Sequence, residues 1–348
     1  MRVLAFIAAV SVLLSTSFVP AFADDGCHPL TLFASVDLSR RNGDTRMYVP
    51  VSLNGTQKLM LLDTGGFMSE VTPQAVAELN LQHESVDFES VNVAGEESHL
   101  AANVSSFAIG QLTTKSVQFI IAPEHDMFAG DARFAGILAP NVLRFYDVDI
   151  DFGAQKLNLI SPDHCEGKVV YWPAAAVAVV PIRVLKWGHI SLPVQLDGKT
   201  VNAILDTGAS MTTLTQTAAE SDFGLKMGSK DAPYAQELQD KPGAAIYHHR
   251  FASLDFGGIA VGNLDVALLP DYRDKLAQAP SLGSRLGNPK DAAEYEDMLL
   301  GMNVLRHLHI YIAYKEQKLY ITPAGAPQTA SSASTGGGNA AGTISTAH

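Results

Sequence analysis

The chain contains itself twice, and this constrains its fold more than any other feature. Displaced by 143 residues, Pro50 to Thr72 lies on Pro193 to Thr215 without a gap, and ten of those 23 positions are identical. The shared residues include Leu62-Asp63-Thr64-Gly65 and Leu205-Asp206-Thr207-Gly208. At a displacement of 162, Ile137 to Leu159 lies on Leu299 to Ile321, with Asn141 to Arg144 repeated as Asn303 to Arg306 and Gln155 to Leu157 as Gln317 to Leu319. The displacements differ by 19 residues (162 − 143), which is extra length in the second copy. Much of it is assigned to the polar stretch Asp271 to Asp297, expected as a surface loop with short helices. Two copies in the same order mark a duplication, so two similar folded units are expected.

Within each copy the pattern is that of strands. Val49 to Leu53 alternates, Asn54-Gly55 is a hairpin turn signal, and Lys58 to Leu62 is a second strand. Val194 to Leu196, Asp197-Gly198 and Val201 to Leu205 repeat it. Short helices are expected over Pro73 to Leu79 and Gln216 to Ser221. Each copy ends in two strands: Val148 to Phe152 with Lys156 to Ile160, and Ile310 to Tyr314 with Lys318 to Thr322. The fold class is all-β, in two homologous lobes. The expected organisation is a signal peptide (1–23), a first lobe (24–162), a linker (163–176), a second lobe (177–323) and a disordered tail (324–348) rich in Gly, Ala, Ser and Thr.

In each copy an apolar strand delivers an aspartate, Asp63 or Asp206, into a tight turn that Gly65 or Gly208 makes sterically open. One such turn is a weak signal, since an aspartate commonly stabilises its own turn. Two, each behind the same strand in a duplicated lobe, are not explained that way. Lobes related by approximate two-fold symmetry bring equivalent loops together at the axis. Two carboxylates meeting there cannot both be charged, so the pair holds one proton and offers a base and an acid side by side.

On these residues the chain resembles the pepsin and retropepsin superfamily, and most the retropepsin-like bacterial aspartyl proteases. The resemblance spans about 290 residues. It rests on the two Asp-Thr-Gly turns, on Leu299-Leu300-Gly301 with its partner Ile137-Leu138-Ala139, and on the strand pair ending each lobe. It implies two β-barrel lobes with pseudo-two-fold symmetry and Asp63 and Asp206 as catalytic residues. It also implies that Thr64 and Thr207 hydrogen-bond across the dyad, with Gly65 and Gly208 completing the supporting loops. A flap is implied in each lobe, placed at Ala94-Gly95 within Val91 to Val104 and at Pro242-Gly243 within Leu238 to Phe251. Two departures stand out. Gly66 and Ala209 replace the hydroxyl residue usual after the motif in pepsins, and Ala139-Pro140 stands where the second copy has Gly301-Met302. An alanine there is either tolerated or distorts the support beneath Asp63.

Met1-Arg2, the apolar run Val3 to Leu14 and Ala21-Phe22-Ala23 read as a cleavable export signal, too short for a membrane span. Export to the periplasm or medium makes the only two cysteines, Cys27 and Cys165, a candidate disulfide, two free thiols being the alternative. A net charge of −12 argues against nucleic acid and anionic lipid as partners. No cofactor or metal is expected. There is no Gly-rich phosphate loop and no Gly-x-Ser-x-Gly elbow, and His248-His249 and His307-Leu308-His309 lack accompanying ligands at metal-site spacing.

The reading is therefore an aspartic endopeptidase acting on peptides or unfolded protein. Its competitors are a catalytically silent peptide-binding homologue and an envelope structural protein. With both aspartates in one chain, the active unit is expected to be a monomer. Specific activity should then stay constant on dilution and the sedimenting mass should be that of one chain. Activity that falls steeply with concentration, alongside a dimer in the ultracentrifuge, would show that lobes pair between chains instead.

Overall fold

The structure, a computed structural model, describes residues 27–91, 97–123, 128, 130–237, 244–271 and 296–325. The expected signal peptide, Ala94-Gly95, Pro242-Gly243, nearly all of the 271–297 stretch and the residues beyond Gly325 lie outside these residues.

Each hairpin turn adopts the backbone its sequence requires. Asn54 and Gly55 have φ of 48° and 87°, and Asp197 and Gly198 have 45° and 78°. Positive φ at both central residues matches the strand twist, so Met47–Leu53 pairs directly with Thr56–Leu62, and Ile190–Leu196 with Lys199–Leu205.

These hairpins open two closed barrels. In the first lobe the ring runs through Met47–Leu53, Thr56–Leu62, Phe134–Leu138, Glu70–Val71, Leu112–Ile121 and Glu97–Ile109. It closes where Ser52 and Leu53 meet Ala108 and Phe107. The second ring runs through Ile190–Leu196, Lys199–Leu205, Met298–Leu300, Thr213–Thr215, Ala260–Leu269 and Ala245–Asp255, and closes where Gln195 and Leu196 meet Asp255 and Leu254. Inward-facing Val49, Val51, Leu53, Met60 and Leu62 are buried in one barrel, and Leu192, Val194, Leu196, Ala203 and Leu205 in the other. Among the described residues the helices are short: Pro73–Glu78, Pro140–Leu143, Gln216–Phe223 and Met302–Leu305. Thr72 and Thr215, identical in the repeat, cap equivalent helices by accepting from Ala75 N and Ala218 N.

A third, six-stranded sheet joins the lobes, in the order Leu32–Asp37, Lys156–Ile160, Asp147–Asp151, Leu308–Ala313, Lys318–Pro323, Ala178–Pro181. Its centre is the antiparallel contact of Asp147–Asp151 with Leu308–Ala313, one strand from each copy. Val148, Ile150, Ile310 and Ile312 join the main core. Alternation puts Asp147, Asp149, His309 and Tyr311 on the opposite face. Asp147 and Asp149 are fully buried, so their charges need partners. His164 Nε2 lies 2.6 Å from Asp147, and His309 Nε2 lies 2.6 Å from Asp149. Tyr171 and Asn158 also donate to Asp149, and Trp172 stacks on His309 at 3.9 Å. The sequence offered no metal spacing for His307 and His309. The fold gives His309 a buried carboxylate from the other lobe, while His307 sits outside the strand beside Arg306.

Cys27 and Cys165 form a disulfide with Cα atoms 4.8 Å apart, and Cys165 N donates to His28 O. The bridge closes a separation of 138 residues. It lies next to His164 and thus beside the joining sheet. Reduction should lower stability by about 2–5 kcal/mol. Intact mass of the non-reduced protein after alkylation should show no thiol adduct; two adducts would refute the bridge. A second prediction concerns Gly136, at φ 145°, where an added Cβ would sit 1.9 Å from Glu70 O. Gly136→Ala should destabilise by about 3 kcal/mol or more in denaturant titration, because the obstacle is backbone that cannot rotate away. A loss below about 1 kcal/mol would mean that these strands are not locked together as described.

Candidate active site

Asp63 and Asp206 are 143 residues apart in sequence and meet where the barrels face each other. Each leaves the end of a barrel strand, Thr56–Leu62 or Lys199–Leu205, and each backbone is fixed by the strand running parallel to it. Asp63 N donates to Leu138 O and Asp206 N to Leu300 O, both at 3.0 Å. The two apolar elements singled out in the sequence thus support the two aspartates equivalently.

The threonines tie the loops together. Thr64 Oγ1 donates to Leu205 O at 2.7 Å and accepts from Thr207 N at 3.1 Å. Thr207 Oγ1 donates to Leu62 O at 2.7 Å and accepts from Thr64 N at 3.0 Å. Both side chains are fully buried, so each hydroxyl satisfies groups of the opposite lobe that have no access to water.

The glycines let the carboxylates approach. A Cβ on Gly65 would lie 2.3 Å from Asp206 Cγ, and one on Gly208 2.3 Å from Asp63 Cγ. Here glycine is required by close packing across the lobe boundary. Gly65 N donates to Asp63 Oδ1, and Gly208 N and Ala209 N to Asp206 Oδ1.

Both aspartates are partly buried, and the surrounding protein desolvates their carboxyls. This burial raises both pKa values. Repulsion from Asp206 pushes Asp63 up further. At Asp206 the rise is opposed by a hydrogen bond with Asp63, by the N–H groups of Gly208 and Ala209, and by the charge of His189. Desolvation and mutual repulsion favour one retained proton, and the titration belongs to the pair.

Beneath each loop lies a network that sequence reasoning missed. Asn141 Oδ1 accepts from Ser69 N and Oγ, and Ser69 Oγ accepts from Ala139 N. Asn303, Thr212 and Gly301 repeat this arrangement. The signal was present, since Asn141 and Asn303 are identical in the second repeat block. Ala139 does not displace Asp63. A Cβ on Gly66 would lie 3.2 Å from the Ala139 Cβ, so the missing side chain at 66 accommodates the extra methyl at 139.

Arg46 and His189 were also missed. Arg46 is paired with Asp44 and lies 3.5 Å from Gly208 O, and His189 Nε2 lies 3.1 Å from Gly66 O. The expected flap positions Ala94, Gly95, Pro242 and Gly243 lie outside the described residues. Paired strands flank both positions: Gln82–Val91 with Glu97–Ile109, and Tyr234–Glu237 with Ala245–Asp255.

No curated protein matches the chain in sequence. Among solved structures, Basic 7S globulin from soybean aligns with TM-score 0.48 and 12% identity, covering 84% of this chain and 95% of that one. The aspartic proteinase from Irpex lacteus aligns with TM-score 0.47 and 13% identity, covering 85% and 98%. A retropepsin-like aspartic protease from Rickettsia conorii aligns with TM-score 0.30 and 17% identity, covering 44% of this chain and 96% of that one. The model of the aspartyl protease family matches residues 49–139 and 192–304, which contain both Asp-Thr-Gly loops and both supporting strands. The chain belongs to the aspartyl protease family.

Proposed function

We propose that the chain is an aspartic endopeptidase that hydrolyses peptide bonds with a water activated between Asp63 and Asp206. The observation that carries this is the meeting of two carboxyls from separate lobes, each so close to the glycine of the facing turn that a Cβ there would lie 2.3 Å from its Cγ, with burial raising the pKa of both. The ionised member takes a proton from the water while its oxygen adds to the peptide carbonyl carbon. The protonated member donates to the carbonyl oxygen as negative charge develops there. Collapse of the tetrahedral adduct breaks the C–N bond, and the amine leaves with a proton from the pair.

The substrate in this reading is an extended peptide or an unfolded protein segment lying between the lobes. The functional unit is a monomer with lobes 24–162 and 177–323 joined by 163–176, exported after removal of 1–23 and ending in the tail 324–348. The Cys27–Cys165 disulfide is compatible with an oxidising compartment. No described helix is long and apolar enough to cross a membrane.

Asp63→Asn and Asp206→Asn should each lower turnover of a diverse peptide mixture by about 10³-fold or more, because half a pair cannot supply both base and acid. Mass spectrometry of the products across pH reads the activity, and circular dichroism checks that each variant is folded. A folded single variant with near-normal turnover would rule out the paired mechanism. A wild-type protein that binds peptides but cleaves none would favour the silent homologue.

A further inference from the structure

The displacement of 162 places Asp147 and Asp149 of the first copy on His309 and Tyr311 of the second, and Ala154 on Glu316. Equivalent strands have thus become complementary where they meet, with carboxylates on one and their donors on the other. The segment between the copies adds His164, which the repeat does not match and the dyad does not use. Its side chain is 2% exposed, and those of Asp147 and Glu316 are 1% and 6% exposed, so the three groups meet almost sealed from water.

Both ring nitrogens of His164 face acceptors. Nε2 lies 2.6 Å from Asp147 Oδ2. Nδ1 lies 3.2 Å from Cys165 O and 3.7 Å from Glu316 Oε1. Two protons on the His164–Asp147 pair satisfy both contacts, whereas a single proton leaves lone pairs facing each other at one of them. Burial opposes a charge on the ring, but hydrogen bonds to Asp147 and Cys165 O and the charges of Asp147 and Glu316 outweigh it, so the His164 pKa is raised above its ordinary value. Burial raises Asp147 as well, against its hydrogen bond with His164. The other ionisable groups around the pair do not replace this proton. Tyr311 donates to Asp147 at 3.2 Å, Tyr320 donates to Glu316, and Tyr314 lies in the fields of Asp147 and Arg144. Burial raises all three tyrosines, so they stay neutral where a histidine titrates. Lys318 Nζ lies 3.8 Å from Glu316, and the exposed Asp163 faces Lys315 and His28.

Asp147 belongs to the first lobe, Glu316 to the hairpin that ends the second, and His164 to the segment between them, one residue from the disulfide. We propose that His164 is a pH-sensitive fastener of the two lobes, whose proton holds Asp147 and Glu316 to one junction and whose loss loosens the joining sheet. Without that proton, two buried carboxylates face an uncharged ring. A proton held more tightly by the folded than by the unfolded chain stabilises the fold fully below the unfolded midpoint, about 6.5 for histidine. That contribution is lost as pH rises through the higher folded midpoint. The junction is therefore weakened on the alkaline side, whether or not the chain cleaves peptides.

The test uses the full chain with its disulfide intact. Hydrogen exchange read by mass spectrometry, corrected for the intrinsic rate at each pH, compares Asp147–Asp151 and Leu308–Ala313 with the barrel strands Met47–Leu53 and Ile190–Leu196. Between about pH 6 and 9, protection of the joining strands should fall by up to about tenfold per pH unit, the limit for one proton, while the barrel strands hold. In His164→Gln, which keeps a donor for Asp147, the joining strands should start less protected and lose this pH dependence. Equal loss in all four strands, no loss in any, or a His164→Gln slope like that of the wild type would overturn the proposal. If His164→Gln does not fold, NMR titration of the His164 ring in wild type and in Glu316→Gln decides. The wild-type midpoint should lie above about 6.5 and drop by about half a unit or more when Glu316 loses its charge. A midpoint at or below about 6.5, or one indifferent to Glu316→Gln, would overturn the fastener equally.

Discussion

The crossed hydrogen bonds of Thr64 and Thr207 are the interaction on which the site depends. Each hydroxyl donates to a carbonyl of the opposite lobe and accepts an amide from it, so the two side chains satisfy four backbone groups sealed from water. Removing either hydroxyl from the assembled pair would leave buried groups of the opposite lobe unpaired, at a cost of about 1–3 kcal/mol each. The same geometry sets Gly65 and Gly208 against the facing carboxylates, which brings the two aspartates together across the lobe boundary. The polar lock and the meeting of the two carboxyls are therefore one structural fact.

The sheet joining the lobes solves a related problem by different means. The strand Asp147–Asp151 directs apolar side chains into the core and carboxylates to the opposite face, at the point where the two halves of the chain meet. Two of those carboxylates are fully buried, and such charges are tolerable only when paired and hydrogen-bonded. Their partners come from the second lobe, as His309 and Tyr311, and from the connecting segment, as His164 and Tyr171. That segment is held at its start by the disulfide. A buried ion pair is weak evidence for net stability, but removing one member leaves an uncompensated charge, so the arrangement favours one relative placement of the lobes.

The duplication made the barrels, the turns and the paired aspartates legible, because identity at a fixed displacement identifies equivalent positions without any knowledge of contacts. Strand extents were read slightly short: Lys58 to Leu62 begins at Thr56, and Ile310 to Tyr314 runs from Leu308 to Ala313. Tertiary pairing, rather than local composition, sets where a strand ends. Ser69 and Thr212 escaped notice because the repeat preserves their hydroxyl and not their identity. Arg46 and His189 lie just outside the gapless block that begins at Pro50 and Pro193, and share only the ability to donate a hydrogen bond. Nothing in the sequence indicated that His309 would find Asp149, since that contact spans 160 residues and two lobes.

The copies have diverged most informatively where each had to remain packed around its own aspartate. In the first lobe glycine follows the motif and alanine sits in the supporting element; in the second, Ala209 follows the motif and Gly301 supports it. Neither exchange is free by itself. A Cβ on Gly301 would lie 2.4 Å from the backbone of Met211, and one on Gly66 would crowd both Asp63 and Ala139. In the first lobe the absent side chain at 66 leaves room for the methyl of Ala139, whereas in the second the obstacle to a methyl at 301 is the backbone of Met211 and Thr212. Close-packed interiors accept such volume-conserving exchanges and resist single ones. The backbone bonds that hold Asp63 and Asp206 are nonetheless 3.0 Å in both lobes, so the strand support beneath each aspartate is the same even where the neighbouring residues differ.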